Sequence, residues 1–374
     1  VLSLSSVYTY LDGKSFMSLD HVASVIDIQR ALAEHARGID RADEALLRGA
    51  YHGDGTVDYG AFGGSAAEFA QFLTPIQAGA PISLHRPSNV WCKVEGDQAL
   101  SESYVVAYVV MPTDGDAQPH LVGGRYLDQH TRKDGHWRMQ HRRYVLDWIV
   151  QRPFMTKQDD VPPAFSLSHQ VPTGGHYTAD AGNALLTLLA SQRSLATEVP
   201  TMSDPSLLDK VVSHQAITEL NYRYCRGVDR GDEATLLSAF HDDATVVAGV
   251  FNGPVAEFAK MIVPLLDEVS PRVAHTVTNH WIDIQGDSAV GESYVLAYQG
   301  VVGETPQDIL TGGRYVDQYE RRGGEWRISS RTFVMDWSMA QDGKDLINSG
   351  MFEQMVKGQR GSADPVFEFW QSLG

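Results

Sequence analysis

The chain has 374 residues, 43% of them hydrophobic and 21% charged, the composition of an ordinary globular protein of about two domains. A formal net charge of −17 argues against nucleic acid, whose phosphates demand clustered Lys and Arg, and against an anionic membrane surface. Two cysteines, Cys92 and Cys225, make neither a disulfide framework nor a metal cluster and fit a reducing cytosol.

Residues Val1 to Phe16 are apolar and Ser-rich but lack a basic n-region. A cleaved leader is therefore not expected, and Met17-Ser18-Leu19 reads as a candidate original start. No apolar run reaches the roughly 20 residues needed to span a bilayer.

Internal repetition organises the remainder of the chain. Gly38-Ile39-Asp40-Arg41 recurs as Gly227-Val228-Asp229-Arg230, Glu102-Ser103-Tyr104-Val105 as Glu292-Ser293-Tyr294-Val295, and Gly123-Gly124-Arg125-Tyr126 as Gly312-Gly313-Arg314-Tyr315. Asp147-Trp148 likewise matches Asp336-Trp337. One residue enters the second copy before His275 and is lost again before Gly312, as happens in loops between elements that keep register. The expected domains are residues 19–153 and residues 207–374, the second with a C-terminal helical tail. They are joined by a linker, residues 154–206, rich in Pro, Gly, Ser and Asp. Within it Ala181 to Gln192 reads as a short helix belonging to the first domain, with Pro365 to Leu373 as its counterpart. Each copy is thus expected to own an appendage that packs back on it.

In each copy a helix comes first, with Val25, Ile28, Ala31 and Leu32 at helical spacing, ending at Gly38 or Gly227. A second helix, Glu44 to Tyr51 or Glu233 to Phe240, is capped by Asp43 or Asp232. His52 and His241 come next and read as helix C-terminal residues favoured by the dipole. A third helix, around Ala66 to Leu73 or Val255 to Leu265, turns Phe69 or Phe258 inward. Period two then takes over, with Asn89 to Val94, Ala99 to Val110, Leu121 to Arg132 and Trp137 to Trp148 as strands, and the second copy repeats them. Helices before a strand meander indicate an α+β fold of two repeated cone-shaped domains. Each has three helices packed on a strongly curved, mostly antiparallel sheet with a cavity at its open end.

The helix carrying G-[IV]-D-R, the later histidine, the G-G-R-Y strand and the final W-R…R…D-W strand together resemble the SnoaL-like domain of the nuclear transport factor 2-like superfamily. The resemblance covers nearly all of both copies. It specifies fold more than reaction, because the superfamily holds dehydratases, dehydrohalogenases, isomerases, cyclases, epoxide hydrolases and non-catalytic binding modules. It implies that Asp229 and His275, and by position Asp40 and His85, form a dyad like that of hexachlorocyclohexane dehydrochlorinases and bile-acid dehydratases. There the histidine removes a substrate proton while the aspartate orients and charges it. It further implies that Tyr224 stands beside the dyad, where the first copy departs with His35, and that Arg331 and Arg142 are pocket arginines.

The chemistry is coherent on its own terms. Elimination beside an activating group needs a base titrating near neutrality, which histidine supplies. A buried carboxylate on the other ring nitrogen fixes the tautomer and stabilises the imidazolium. Tyr224, Arg331 or Asn279 would donate to a leaving hydroxyl or oxyanion. Asn89, His35, Trp148 and Trp337 complete the candidate substrate-binding set. Plainer roles compete with these. Asp40 or Asp229 can close a turn, His85 or His275 can be pocket wall, and Arg142 or Arg331 can pair with Glu102 or Glu292 across the sheet. Asn89 and Asn279 also read as strand-edge hydrogen bonders, and Trp91, Trp148, Trp281 and Trp337 as core or as the wall of an aromatic-lined pocket. The matched Asp/His pair in both copies favours the dyad.

The leading expectation is a cytoplasmic, cofactor-independent lyase of dehydratase type acting on a bulky apolar or aromatic small molecule. No spaced ligand set calls for a metal, and the second copy is favoured by Tyr224. Retro-aldol carbon–carbon cleavage releasing formaldehyde, or isomerisation, uses the same dyad, and a non-catalytic small-molecule binding protein is the alternative of another class. Related single-domain proteins associate through the sheet face. The two copies are therefore expected to form an internal pseudo-dimer, with homo-oligomers left open.

Overall fold

The computed structural model describes residues 19–80, 82–111, 118–151, 205–249 and 251–372. Met17 and the expected helix at Ala181 to Gln192 lie outside the described residues, with most of the linker. The fold is α+β, and both repeats build the same unit. Helix α1 (Leu19–Asp40) turns Val25, Ile28, Leu32, His35 and Ile39 to one buried face, the spacing of an amphipathic helix. It does not stop at Gly38. The helix continues to Asp40, and α4 (Pro205–Arg230) runs past Gly227 in the same way. The glycines serve a crossing instead of a helix end. A Cβ on Gly38 would lie 2.7 Å from the Leu47 nitrogen, and one on Gly227 2.4 Å from that of Leu236, because α2 (Glu44–Gly49) and α5 (Glu233–Ser238) pack there.

Asp43 and Asp232 cap these second helices, accepting from the Leu46 and Thr235 N–H groups at 3.0 Å each. The helices end before Tyr51 and Phe240, which instead begin β1 (Tyr51–Asp58) and β7 (Phe240–Ala248) with their rings in the core. His52 and His241 are strand residues whose Nε2 atoms lie 2.9 Å from the carbonyls of Thr131 and Glu320, so the expected helix-dipole role is corrected. Helices α3 (Ala66–Gly79) and α6 (Val255–Val269) complete the helical layer.

The first sheet also contains β2 (Gly63–Ser65), β3 (Ile82–Glu95), β4 (Gln98–Met111), β5 (Gln118–Lys133) and β6 (His136–Gln151). In the second are β8 (Phe251–Pro254), β9 (Arg272–Gln285), β10 (Ser288–Val301), β11 (Gln307–Arg322) and β12 (Glu325–Asp342). Strand order is β2-β1-β6-β5-β4-β3 and β8-β7-β12-β11-β10-β9. Only the β1–β6 and β7–β12 pairings along these paths are parallel. Register shifts at Ser88/Trp91, Gly123/Gly124 and Gln129/His130 insert bulges that curl the long strands around the helices. The first glycine of G-G-R-Y lets the Trp148 indole cross the strand, since a Cβ on Gly123 would fall 1.9 Å from that ring.

The repeats meet through their sheets and through α4, which packs on β3 and α1 of the first repeat. Tyr104, Val106, Trp148 and Val150 pack on Ala274, Tyr298 and Leu310, and Trp148 stacks on Tyr298 at 4.6 Å and 11°. Trp148 is therefore an interface residue, and the expectation that it binds substrate is corrected. Trp337 lies opposite Gly312 in the strand pairing, and its side chain falls outside what is described.

The C-terminal tail corrects a second expectation. Arg360 holds it to its own repeat at Asp267 and the Val228 and Asp229 carbonyls, and its apolar side chains pack on the first repeat. Strand β13 (Val356–Lys357) pairs in parallel with Val145 and Leu146 of β6, and α7 (Pro365–Gln371) buries Val366 and Trp370 against Leu100, Leu127 and Val145. Asp364 anchors it, taking bonds of 2.9 and 2.6 Å from Arg125. Around that contact Arg125, Arg226 and Arg230 meet Glu102, Asp147 and Asp364, all buried. Three charges of each sign close the set, which is the condition for tolerating them away from water. Among the described residues no helix is long and apolar enough to cross a membrane.

Candidate active site

The last turn of α1 and of α4 delivers an aspartate to the first third of a neighbouring strand. Asp40 Oδ1 lies 2.7 Å from His85 Nδ1, and Asp229 Oδ1 lies 2.6 Å from His275 Nδ1. Each carboxylate also accepts the backbone N–H of its own histidine, at 2.8 Å in the first repeat and 2.9 Å in the second. Ser83 adds a hydroxyl to Asp40 at 3.3 Å. A carboxylate at a helix C-terminus faces the negative end of the dipole, so these N–H donors are what hold it there. With both backbone and ring of one residue tied to one carboxylate, the imidazole has little freedom to turn.

That arrangement assigns the proton. Nδ1–H donates to the carboxylate, and Nε2, which no described residue hydrogen-bonds, keeps its lone pair. The two histidine side chains remain 15% and 16% exposed, while Asp229 is fully buried. The structure thus brings Asp40 to His85 and Asp229 to His275, as the sequence predicted.

Tyr224 is buried beside the second dyad, edge-on to Phe240 and Tyr315 at 5.8 and 5.5 Å. Burial pushes its hydroxyl pKa up, and the Arg331 guanidinium 4.2 Å from its ring works against that rise. The hydroxyl stays protonated at neutral pH and has no described hydrogen-bond partner, so it is an available donor. His35 occupies the same place in the first repeat, buried between the hydroxyls of Tyr51 at 3.3 Å and Tyr59 at 3.2 Å. Burial, then the Arg142 guanidinium, drives its pKa well down, so it is neutral.

Arg142 and Arg331 are ion-paired, but not to the expected glutamates. Arg142 grips Asp128 at 2.7 Å through both Nε and Nη2, and Arg331 grips Asp317 at 2.8 and 2.6 Å. Asn221 also accepts from Arg331. Glu102 faces Arg125 at 3.3 Å and Glu292 faces Arg314 at 3.0 Å. In both repeats Nη1 of this arginine is buried without a hydrogen-bond partner among the described residues. Asp128 and Asp317 escape sequence reasoning, although they sit two residues beyond G-G-R-Y in both copies and extending that motif would find them.

Asn89 bonds backbone and not a pocket, which corrects that expectation. Asn89, buried at φ 46°, reaches across the repeat boundary. Its Nδ2 donates to the His275 carbonyl at 2.7 Å, and its Oδ1 accepts the Val277 N–H at 2.7 Å. The second dyad is therefore braced by the first repeat. The reverse brace is absent because Pro87, at the place of Val277, has no N–H to give, and Asn279 is exposed.

The floor of the second cone differs from the first. Leu32 and Val90 give way to Asn221 and His280, with Asn221 Nδ2 donating to His280 Nε2 at 3.0 Å. Burial holds His280 neutral, with its pKa lowered to about 4. Among the described residues no group of three His, Cys, Asp or Glu side chains is arranged to hold a metal ion. An open cavity of about 740 Å³ lies elsewhere, between Arg272, Gly300 and the tail residues Lys357 and Arg360. No dyad residue lines it, and its arginines and lysines are engaged by Asp345, Asp267, Gln151 and backbone carbonyls. It is not the catalytic pocket.

Residues 20–143 and 209–332 each match the family model of the SnoaL-like domain. Hexachlorocyclohexane dehydrochlorinase 1 of Sphingobium indicum is 32% identical over 143 residues, spanning 36% of this chain and 88% of that protein. An uncharacterized protein of Mycobacterium tuberculosis is 28% identical over 133 residues, 34% of this chain and 89% of its own length. Among solved structures, the type 3 hexachlorocyclohexane dehydrochlorinase of Novosphingobium barchaimii aligns with a TM-score of 0.34 and 30% identity, over 37% of this chain and 95% of its own. Each relative thus covers the length of one repeat. With both repeats matched, this chain belongs to the SnoaL-like family of nuclear transport factor 2-like proteins, as a tandem pair of domains.

Proposed function

We propose that the protein is a cofactor-independent lyase that removes water from a bulky apolar or aromatic small molecule, with Asp229 and His275 as its principal dyad. The observation that carries this is the doubly anchored histidine, its Nδ1 2.6 Å from a buried carboxylate and its Nε2 left without a partner. In the proposed step Nε2 takes a proton from the carbon beside an activating group. The C–H electron pair becomes the new double bond as the neighbouring C–O bond breaks. Tyr224 or Arg331 Nη1 donates to the departing oxygen, and the imidazolium proton completes the water and restores the base. Similarity to a protein named as a dehydrochlorinase supports an elimination. The free, buried cysteines Cys92 and Cys225 are compatible with a reducing cytoplasm.

The test is turnover of a panel of hydroxylated aromatic and alicyclic compounds. His275→Ala is expected to lower kcat/KM by about 10²–10⁴-fold. Activity that survives His85→Ala and His275→Ala together refutes the dyad, and a product with fewer carbons than its substrate refutes dehydration in favour of carbon–carbon cleavage.

A further inference from the structure

Tyr59 has no aromatic counterpart in the second repeat, where Ala248 stands in its place between two otherwise matching segments. In the first cone its ring is stacked 4.5 Å from Phe69 and 5.6 Å from Tyr144, at 17° and 19°. Its hydroxyl meets His35 Nε2 at 3.2 Å. Burial pushes that hydroxyl's pKa up to about 12, and the neighbouring Arg142 guanidinium opposes the rise. The ring therefore sits in an aromatic slot with its oxygen on His35.

The second cone keeps the slot and lacks the ring. Phe251 and Phe258 lie 5.5 Å apart at 57°, against 5.5 Å and 58° for Phe62 and Phe69. Tyr315 and Phe333 lie 5.9 Å apart at 54°, against 5.7 Å and 51° for Tyr126 and Tyr144. Each wall keeps the geometry of its counterpart, with an alanine where the first cone has a ring. At its polar end wait Arg331 Nη1, buried without a hydrogen-bond partner among the described residues, and the Tyr224 hydroxyl. The mouths differ too. Leu346, Phe352 and Met355 of the tail pack over the first, where Leu146 is fully buried, whereas its counterpart Met335 is 63% exposed.

We propose that the second pocket binds a planar phenolic ring between Phe258 and Phe333, its oxygen at Tyr224, which stands where His35 meets Tyr59, with Arg331 Nη1 left for the departing oxygen, and that Tyr59 fills the first pocket from within. This rests on the second dyad being the working one and names the substrate class it acts on. A flat ring gains stacking on both faces, and an oxygen at its edge satisfies a buried donor that otherwise has none. The chain then carries one open site and one that holds its own mimic of the ligand.

The probe is 4-methylphenol, which is the tyrosine side chain itself, titrated by calorimetry. The wild-type protein is expected to bind one equivalent, and toluene, lacking the hydroxyl, to bind more than tenfold more weakly. Ala248→Tyr should weaken 4-methylphenol more than tenfold, and Tyr59→Ala should add a second equivalent. Ala248→Tyr leaves the first cone untouched, so it decides the matter even if Tyr59→Ala does not fold. Binding by Ala248→Tyr equal to wild type, or none by the wild-type protein at millimolar probe, overturns the proposal. His275→Ala separates the two ideas. Lost turnover with retained 4-methylphenol binding supports both, and retained turnover refutes the dyad while leaving the slot standing on the calorimetry.

Discussion

Replacing Asn89 with alanine tests whether the second site depends on the first repeat. The side-chain amide makes two bonds of 2.7 Å to backbone groups flanking Thr276, one to the His275 carbonyl and one from the Val277 N–H. Removing it strands a buried acceptor and a buried donor, each costing about 1–3 kcal/mol. Alanine also tolerates φ 46° less well than asparagine, adding roughly 1 kcal/mol. The sum is about 3–7 kcal/mol, read as a shift in the urea midpoint. Because the lost bond holds the carbonyl of the proposed base, kcat should fall more than KM rises. Asn89→Gly, which removes the φ penalty but not the lost bonds, should recover only about 1 kcal/mol. Asn279→Ala, at an exposed position, should change stability by less than about 0.5 kcal/mol. An Asn89→Ala protein within that same margin of wild type would show that the brace contributes nothing.

Two further outcomes are expected. His280 has its pKa lowered to about 4 by burial, so the unfolded chain binds a proton there that the folded one refuses. Its stabilising contribution is complete above the unfolded value near 6.5 and is lost as pH falls toward 4, on the order of 3 kcal/mol. His280→Val, copying Val90 of the first repeat, should lessen the fall in melting temperature between pH 6.5 and 4, the rest of which His130 and His35 carry. An unchanged slope would show that His280 is not what makes the fold acid-sensitive. Asp364→Asn leaves three buried arginines against two carboxylates and should cost about 3–5 kcal/mol in a denaturant titration. A loss under about 1 kcal/mol would mean that water reaches the cluster.

The repeat and the order of elements are legible in the sequence because duplication prints each motif twice. The resemblance pairs Asp229 with His275, and the repeat carries that pairing to Asp40 and His85, with no geometry in hand. What duplication hides is anything that crosses between copies. Trp148 reads as pocket wall because its period-two spacing gives a face but not which partner covers it, and the partner is Tyr298. Asn89 and Asn279 look equivalent until Pro87 removes the N–H that one of them needs. Gly38 and Gly227 carry the usual sign of a helix end, yet the demand comes from a helix crossing them. Long-range ion pairing is equally silent in sequence. The motifs offer Arg142 an acid from another strand, while Asp128, fourteen positions away on the neighbouring one, is its partner.

Because the tail of the second repeat completes the core of the first, the duplicated chain cannot be divided where its sequence divides. A fragment ending before Pro205 would leave Leu100, Leu127 and Val145 facing water and Arg125 without Asp364. A fragment beginning there would carry Val366 and Trp370 with nothing to bury them. The two halves are therefore obliged to fold together, and a substitution in the tail is felt in the core of the first repeat.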